Sequence, residues 1–491
     1  MKPSGPSVVG LKDADGLPID ATNPLTVEVL TDGSPVAEAN PLAVEVEVSG
    51  AAATAANPLG VAVSVAGAAV ADANPLPVEQ QGNTSVVIAD GPNLDAFSRL
   101  RVGLPQLRLS ALFDTDKRPL VWDERLVNGG LATHLPFEDS VEMTVEAASS
   151  ESCRQTKEYY VYRAAQSQLV LCTFAMATPQ AGVTQEVGYF DDNNGLFFRA
   201  SGATLQMVRR TDTSGTPVDA PVDQADWNLD KLDGSGASGI TLDVAKTQIL
   251  VIDFQWLGVG RVRFGFDIDG LIVYCHELRN ANNLTAVYMR TPKLPVRYRI
   301  ANGAGLLPDP VSMKQICSAV VREGGTDEPG VQRSIDNGNA AATVGTNWTG
   351  ILGLRLKASN IRATLRMVAA AVLNEDTSDP VQYAVLLNPD GTGAAVWSDI
   401  VQDGSIAQKS RTVTAITVDG SGDPTTGCVL PLVGYAAAAN GGRGGVLATE
   451  VEEILPIVAD IAGTPDEAWL CFRTTSATSP VRGTLSYEEV R

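Results

Sequence analysis

The chain has 491 residues, too many for one ordinary hydrophobic core, so two or three domains are expected. Only 5% of the residues are aromatic while 46 are Gly and 28 are Pro, which favours many short strands and turns over long helices. Lysine and arginine number 36 against 57 acidic residues, a formal charge of −21 that repels a phosphate backbone and argues against nucleic acid as a partner.

The first residues, MKPSGPSVVGLKDADG, lack the apolar core of a secretory signal. No stretch approaches the roughly 20 apolar residues of a membrane helix, so synthesis and assembly in a cytoplasm without membrane insertion is the expectation. Asn-Pro-Leu then recurs from Asn23, Asn40, Asn57 and Asn74, steps of 17 residues (40 − 23, 57 − 40, 74 − 57). Gly16, Gly33, Gly50 and Gly67 keep the same phase. Within a unit, Leu42, Val44, Val46 and Val48 alternate with Ala43, Glu45 and Glu47, the period of a strand with one apolar face. Proline biases the Asn before it toward extended backbone, and Asp32-Gly33 suits a tight turn. Each repeat is therefore expected to form two very short strands and two turns, making residues 1–90 a repetitive stem or attachment region.

So small a unit cannot bury its apolar stripe alone; it must stack on neighbouring repeats and on other chains. Three chains around one axis would close the core and leave no free sheet edge, so a homotrimer is expected. The repeat style resembles the β-spiral shafts of viral fibres. A disordered Ala/Gly/Pro-rich tail, or an arm extended along a partner, is the alternative.

Beyond Gln80 the stretch QQGNTSVVIADGPNLD leads into AFSRLRV at 96–102, and a β-sandwich is expected over 91–325. Its clearest element starts with the apolar run Ile249 to Trp256, broken by Gly258 and Gly260. Val262, Phe264, Phe266 and Ile268 follow on one face, with Arg261, Arg263 and Asp267 on the other. Asp269-Gly270 then suits a two-residue hairpin before Leu271 to His276. These residues predict a three-strand antiparallel meander with one buried face.

From residue 326 a turn-rich stretch opens a second expected β-sandwich, 326–491. It is carried by Leu352, Leu354 and Leu356, with Arg355 and Lys357 outward, then by Ile361, Ala363, Leu365 and Met367, with Arg362, Thr364 and Arg366 outward. AWLCFRTT at 468–475 and TLSYEEV at 484–490 close the pattern, and a short helix is predicted near Glu450 to Leu455, ended by Pro456.

Several strings resemble those of tailed-phage virion structural proteins: AFSRLRV (96–102), RQTKEYY (154–160), GYFDDNNGLFF (188–198), the run from Trp227 to Gly270, NANNLTAVYM (280–289) and LPVRY (294–298). The resemblance spans roughly residues 96–325 and is looser beyond, in QYAVLLNP (382–389) and TLSYEEV. It implies a place in a virion as fibre, decoration or baseplate component, assembled in the bacterial cytoplasm beside capsid, neck or tail proteins. It carries over no catalytic residue.

Candidate chemistry is sparse. His134 and His276 are the two histidines, too few for a metal cluster or a histidine relay, and both read as packed or surface residues. Cys153, Cys172, Cys275, Cys317, Cys428 and Cys471 are far apart, without a Cys-x-x-Cys pair, and read as buried thiols. Asp191-Asp192-Asn193-Asn194-Gly195 offers oxygens to calcium but equally suits a tight turn, the preferred reading. GSGASG (234–239) and NGGRGG (440–445) lack the lysine of a phosphate loop and read as turns. Of Trp122, Trp227, Trp256, Trp348, Trp397 and Trp469, Trp256 and Trp469 read as core, while Trp227 and Trp397, beside polar loops, are candidate glycan contacts. The expectation is a non-enzymatic, all-β structural protein without cofactor or metal. A receptor-binding module for host glycan is the alternative, and a polysaccharide-cleaving spike the third reading.

Overall fold

The computed structural model describes residues 91, 93–324, 330–376, 378–401, 404–425, 429–438, 445–447 and 456–490, together with six two-residue strands between residues 30 and 69. The chain divides into two compact units, Met1–Ile88 and Ala89–Arg491. In the first, β1 (Leu30–Thr31) pairs antiparallel with β2 (Ser34–Pro35), β3 (Glu47–Val48) with β4 (Ala51–Ala52), and β5 (Ser64–Val65) with β6 (Ala68–Ala69). Counterpart strands are 17 residues apart (47 − 30, 64 − 47), and each pair brackets in sequence one marker glycine: Gly33, Gly50 or Gly67. The repeat seen in the letters is thus a repeat of hairpins. The β-spiral expected around them lies outside the described residues, as do the helix expected at 450–455 and nearly all of NGGRGG.

The second unit begins with fifteen strands: β7 (Pro105–Ala111), β8 (Trp122–Val127), β9 (Leu131–Leu135), β10 (Ser140–Val145), β11 (Glu151–Thr156), β12 (Gln168–Ala175), β13 (Val183–Phe190), β14 (Gly195–Ser201), β15 (Thr204–Thr211), β16 (Val218–Asp223), β17 (Gln248–Phe254), β18 (Val262–Ile268), β19 (Leu271–Leu278), β20 (Val296–Asn302) and β21 (Val311–Glu323). One sheet runs β19-β18-β17-β12-β21-β10-β9, with β7 also on β21; the other runs β16-β15-β14-β13-β20-β11-β8. Period-2 sequence builds them: along β12, Gln168, Val170, Cys172 and Phe174 are buried while the residues between are half-buried. Between the sheets Phe198 meets Phe266 edge-on at 5.4 Å and Phe174 at 5.9 Å. The Tyr298 hydroxyl reaches from β20 to Ser318 Oγ of β21 at 2.9 Å, which satisfies both hydroxyls inside the core.

The meander is present as β17-β18-β19, but its second face is not open to water, contrary to the alternation read from sequence. Asp253 is fully buried and Arg263 is 1% exposed. Asp253 accepts hydrogen bonds from Arg101 Nη2 (2.7 Å), Ser167 Oγ (2.9 Å) and the Tyr274 hydroxyl (3.1 Å), and also from Arg263. Arg263 in turn donates to the Leu94 carbonyl at 2.7 Å. The AFSRLRV segment is thereby held over a face that sequence alternation marks as solvent, because paired charges can be buried where single ones cannot.

The remaining strands are β22 (Val331–Asp336), β23 (Ala342–Val344), β24 (Thr349–Leu356), β25 (Thr364–Asn374), β26 (Val381–Leu387), β27 (Trp397–Asp399), β28 (Ala407–Ser410), β29 (Thr414–Ala415), β30 (Val429–Ala436), β31 (Gly445–Leu447), β32 (Glu467–Thr474) and β33 (Ser479–Val490). They form a second sandwich: β22-β33-β25-β31 with β23 on β33, facing β27-β28-β24-β32-β26-β30 with β29 on β24. Leu354, Leu365, Leu470, Phe472 and Tyr487 fill its core. On the other face of β32, Trp469 and Cys471 join Trp348, Leu386 and Ile416 in a smaller cluster, so this strand is buried on both sides. The strand expected from Ile361 starts at Thr364, after a 3-10 turn at Ala358–Asn360, and Thr364 is buried rather than outward.

Cys153, Cys172, Cys275 and Cys471 are buried free thiols and Cys317 is half-buried. Burial pushes the Cys153 thiol up to about 11 and Cys172 to about 12.

Removing the Asp253 carboxylate takes from Arg101 and Arg263 the buried anion they share, while Arg101 keeps its contact with Glu323. Asp253→Ala is expected to cost about 3–5 kcal/mol in urea unfolding and to make residues 91–102 the first point of limited proteolysis. An unchanged midpoint and cleavage pattern would remove the clasp as a structural determinant.

Candidate functional site: a cationic cleft beside the Asp191–Gly195 turn

The turn between β13 and β14 is built by its own side chains. Asp191 Oδ1 accepts the backbone N–H groups of Asn193 and Asn194, each at 2.7 Å, and the Asp191 N–H donates to the Asn194 carbonyl at 2.8 Å. Gly195 is required by close approach: a Cβ there would lie 2.0 Å from that of Phe190. The turn reading of this sequence is therefore what the structure shows. Its carboxylates face arginines rather than a vacant oxygen shell. Asp191 Oδ2 accepts from Arg362 Nε (2.9 Å) and Nη2 (2.7 Å), and Asp192 accepts from Arg125 Nη1 (2.8 Å) and from Arg297.

Two neighbourhoods meet at this turn. On the outer face of the β13–β14 sheet, Arg125, Arg199, Arg210, Arg297 and Arg299 interleave with Glu151, Glu186, Asp192 and Asp219. They lie over a buried stack of Phe190 on Phe197, centroids 4.3 Å apart, with Arg210 5.0 Å above Phe197. Burial raises the proton affinity of Asp192, but the Arg125 hydrogen bond and the Arg297 charge outweigh it and hold the carboxyl well below the usual range. Asp219 and Glu151 are likewise lowered: burial opposes, and their arginines prevail.

On the other side lies a cleft of about 410 Å³ between the two sandwiches. Asn193, Arg290 and Lys293 line it from the first, and Ser359, Asn360, Arg362 and Ile406 from the second. Arg362 bridges the sandwiches through Asp191, as do Arg366 with Glu158 (3.4 Å) and the Ile461 N–H with Asp123 Oδ2 (2.7 Å). Arg290 and Lys293 stand on the loop between β19 and β20. Aromatic side chains pin that loop: Trp256 Nε1 donates to the Met289 carbonyl (2.9 Å), the Tyr288 hydroxyl to the Gln255 carbonyl (3.1 Å) and the Tyr189 hydroxyl to the Pro292 carbonyl (3.1 Å). Burial pushes the Lys293 ammonium down to about 8, against the attraction of Glu158. The site is a cation-lined recess of mixed polar and apolar surface, suited to an anion.

Neither Arg290 nor Lys293 carries a signal in the sequence, where they lie between two strings, 280–289 and 294–298, notable only for family likeness. The tryptophans fall differently from expectation. Trp227 is not a glycan contact but core, 3% exposed with its N–H on the Val222 carbonyl, because residues 224–233 fold over the edge of β19. Trp397 meets Trp469 edge-on at 5.5 Å and carries the Arg355 guanidinium 4.2 Å over its ring, which removes one face as a sugar platform. Trp122, Trp348 and Trp469 are buried, and Trp256 is partly buried. His134 Nε2 lies 2.6 Å from the Phe113 carbonyl; His276 is buried, its Nδ1 accepting the Asn228 N–H at 3.3 Å, and burial lowers its pKa. Residues 234–239 close around Asp230, which accepts the N–H groups of Leu232 (2.9 Å) and Ser238 (2.7 Å); a Cβ at Gly236 would lie 2.0 Å from Asp230 Oδ1.

A second recess, of about 640 Å³, contains the carboxyls of Asp230 and Glu277. A glycosidase acid needs a raised pKa. Burial raises Asp230, but the Ser238 and Leu232 amides outweigh it and leave the carboxyl lowered, while Glu277 is paired with Arg261 (3.6 Å) and Arg279. One carboxyl is thus held by backbone amides and the other by arginines.

No family model matches the sequence, and no curated protein matches it. Solved structures with some likeness include the Emp47p carbohydrate recognition domain (13% identity, covering 44% of this chain and 95% of that one, TM-score 0.28). A glycosyl hydrolase family 16 protein from Mycobacterium smegmatis str. MC2 155 is 10% identical over 44% of this chain and 100% of that one, with a TM-score of 0.31. A legume lectin-like domain from Entamoeba histolytica is 9% identical over 44% and 97%, TM-score 0.26. These likenesses are too slight to say what this chain binds or does.

The lowered carboxyls of Asp192, Asp219 and Glu151 stabilise the fold at pH values above the unfolded carboxylate range, about 4, and that stabilisation is lost as pH falls toward their folded values. Melting temperature is expected to fall steeply below about pH 4. Asp192→Asn should flatten that limb; an identical acid limb in the variant would show that the lattice is not its source.

Proposed function

We propose that the chain is an exterior structural component of a bacteriophage particle, a fibre or decoration protein that acts by assembly and attachment as a homotrimer. One observation carries the reading: the 17-residue period returns as hairpins at 30–35, 47–52 and 64–69. Two-stranded hairpins this short are not stable alone in water, so they call for other surfaces to complete them. The phage-like strings between residues 96 and 325 support the same placement, and the charge of −21 suits an exposed, soluble exterior. Copies carrying that charge repel, so apolar contact must hold them together.

A second reading, recognition of a host surface glycan on the same architecture, is favoured by the cation-lined cleft between the sandwiches. Sedimentation equilibrium of the full chain tests the first: three times the 51.4 kDa chain mass is expected, and a stable monomer would overturn the trimer. A glycan array tests the second, which predicts saturable binding.

A further inference from the structure

The cleft between the sandwiches carries more cation than its acids neutralise. Arg362 is bound to Asp191 through two hydrogen bonds to one oxygen, and Arg290 Nε meets Asp212 Oδ1 at 3.0 Å. Lys293 has no carboxylate at ion-pair distance among the described residues; its Nζ gives one hydrogen bond, to the Val490 carbonyl at 3.2 Å. An ammonium has three N–H groups, so two are left for another acceptor. The Arg290 side chain is 56% exposed and lines the same recess, as do Asn193 and Asn360. In a chain with a formal charge of −21, a lining with three cations, Arg290, Lys293 and Arg362, and no carboxylate runs against the overall composition. The volume, about 410 Å³, lies in the range of small-molecule sites, ~300–1,000 Å³.

We propose that this cleft binds the anionic group of a saccharide, a carboxylate or a phosphate, with Lys293 as the charge partner and Arg290 as the second donor. The inference rests on the glycan-recognition reading and names its ligand class. The backbone that carries both residues is held by the aromatic hydrogen bonds at Tyr288, Met289 and Pro292, which limits the order lost on binding to the two side chains. Lys293 faces Glu158 and Arg163 from the 157–167 loop, Arg366 from β25 and the Val490 carbonyl from β33. Its ammonium loses its proton as pH rises through about 8, so anion affinity falls there.

Isothermal titration of the full chain with glucuronate, glucose 6-phosphate, inorganic phosphate and glucose tests the proposal. Saturable binding of glucuronate or glucose 6-phosphate, absent for glucose and weakened between pH 7 and 9, is expected; which of the two binds tells carboxylate from phosphate. Lys293→Met should weaken binding about tenfold or more with an unchanged melting temperature. Arg290→Ala, at an exposed position, provides the same test should the first variant fold poorly. Anions that bind no better than glucose, or affinities unmoved by both variants, would overturn the site. Glycan-array hits confined to neutral sugars would sink this inference and keep glycan recognition; anion binding in the cleft with an array blank for host glycans would do the reverse.

Discussion

A carboxylate withdrawn from water needs a cation or a set of N–H donors, and at three places in the second unit of this chain arginine meets that need and joins one segment to another. Asp253 binds Arg101 and Arg263, and so draws residues 91–102 onto the face of a sheet. Asp191 binds Arg362, and so joins one sandwich to the other. Glu186, at 1% exposure, lies between Arg199 and Arg299 on the outside of the second sheet. The apolar cores make the sandwiches stable; these pairs decide what lies against what, since removing a buried carboxylate withdraws the anion that holds its arginines in place.

The cores were legible because alternation is local. Val262, Phe264 and Phe266 announce an inward face within five residues, and Asp269-Gly270 announces the turn that follows. Register follows from both, and β17, β18 and β19 appear where the pattern puts them. The same logic misled at Arg263, for a charged residue between apolar ones reads as solvent-facing. Nothing near it in sequence reveals that Leu94 and Arg101 will come to cover it. Trp227 misled for the related reason that its polar neighbours belong to a loop that folds inward over β19.

The candidate site was legible only in part. Asp191, Asn193 and Asn194 announce a turn, because the Asp side chain caps amides two and three residues on. That the same carboxylate would tie down Arg362, 171 residues away, has no local signature. Lys293 and Arg290 gain meaning from Ser359 and Asn360 across the cleft, a juxtaposition produced by the packing of two sandwiches rather than by spacing. The hairpin repeat is the opposite case: its period is wholly in the letters, and the strands at 30–35, 47–52 and 64–69 repeat it step for step.

The free thiols carry a consequence of their own. Cys153 and Cys172 have no exposed surface and are held as protonated thiols by burial, and the Cys275 thiol is pushed up likewise. Thiolate is the form that attacks disulfides and oxidants, so these sulfurs are inert toward both. The strands that carry these three thiols are closed by backbone pairing and need no covalent rearrangement there when the surroundings pass from reducing to oxidising. Half-buried Cys317 on β21 is the sulfur of that sandwich that such a transition reaches first.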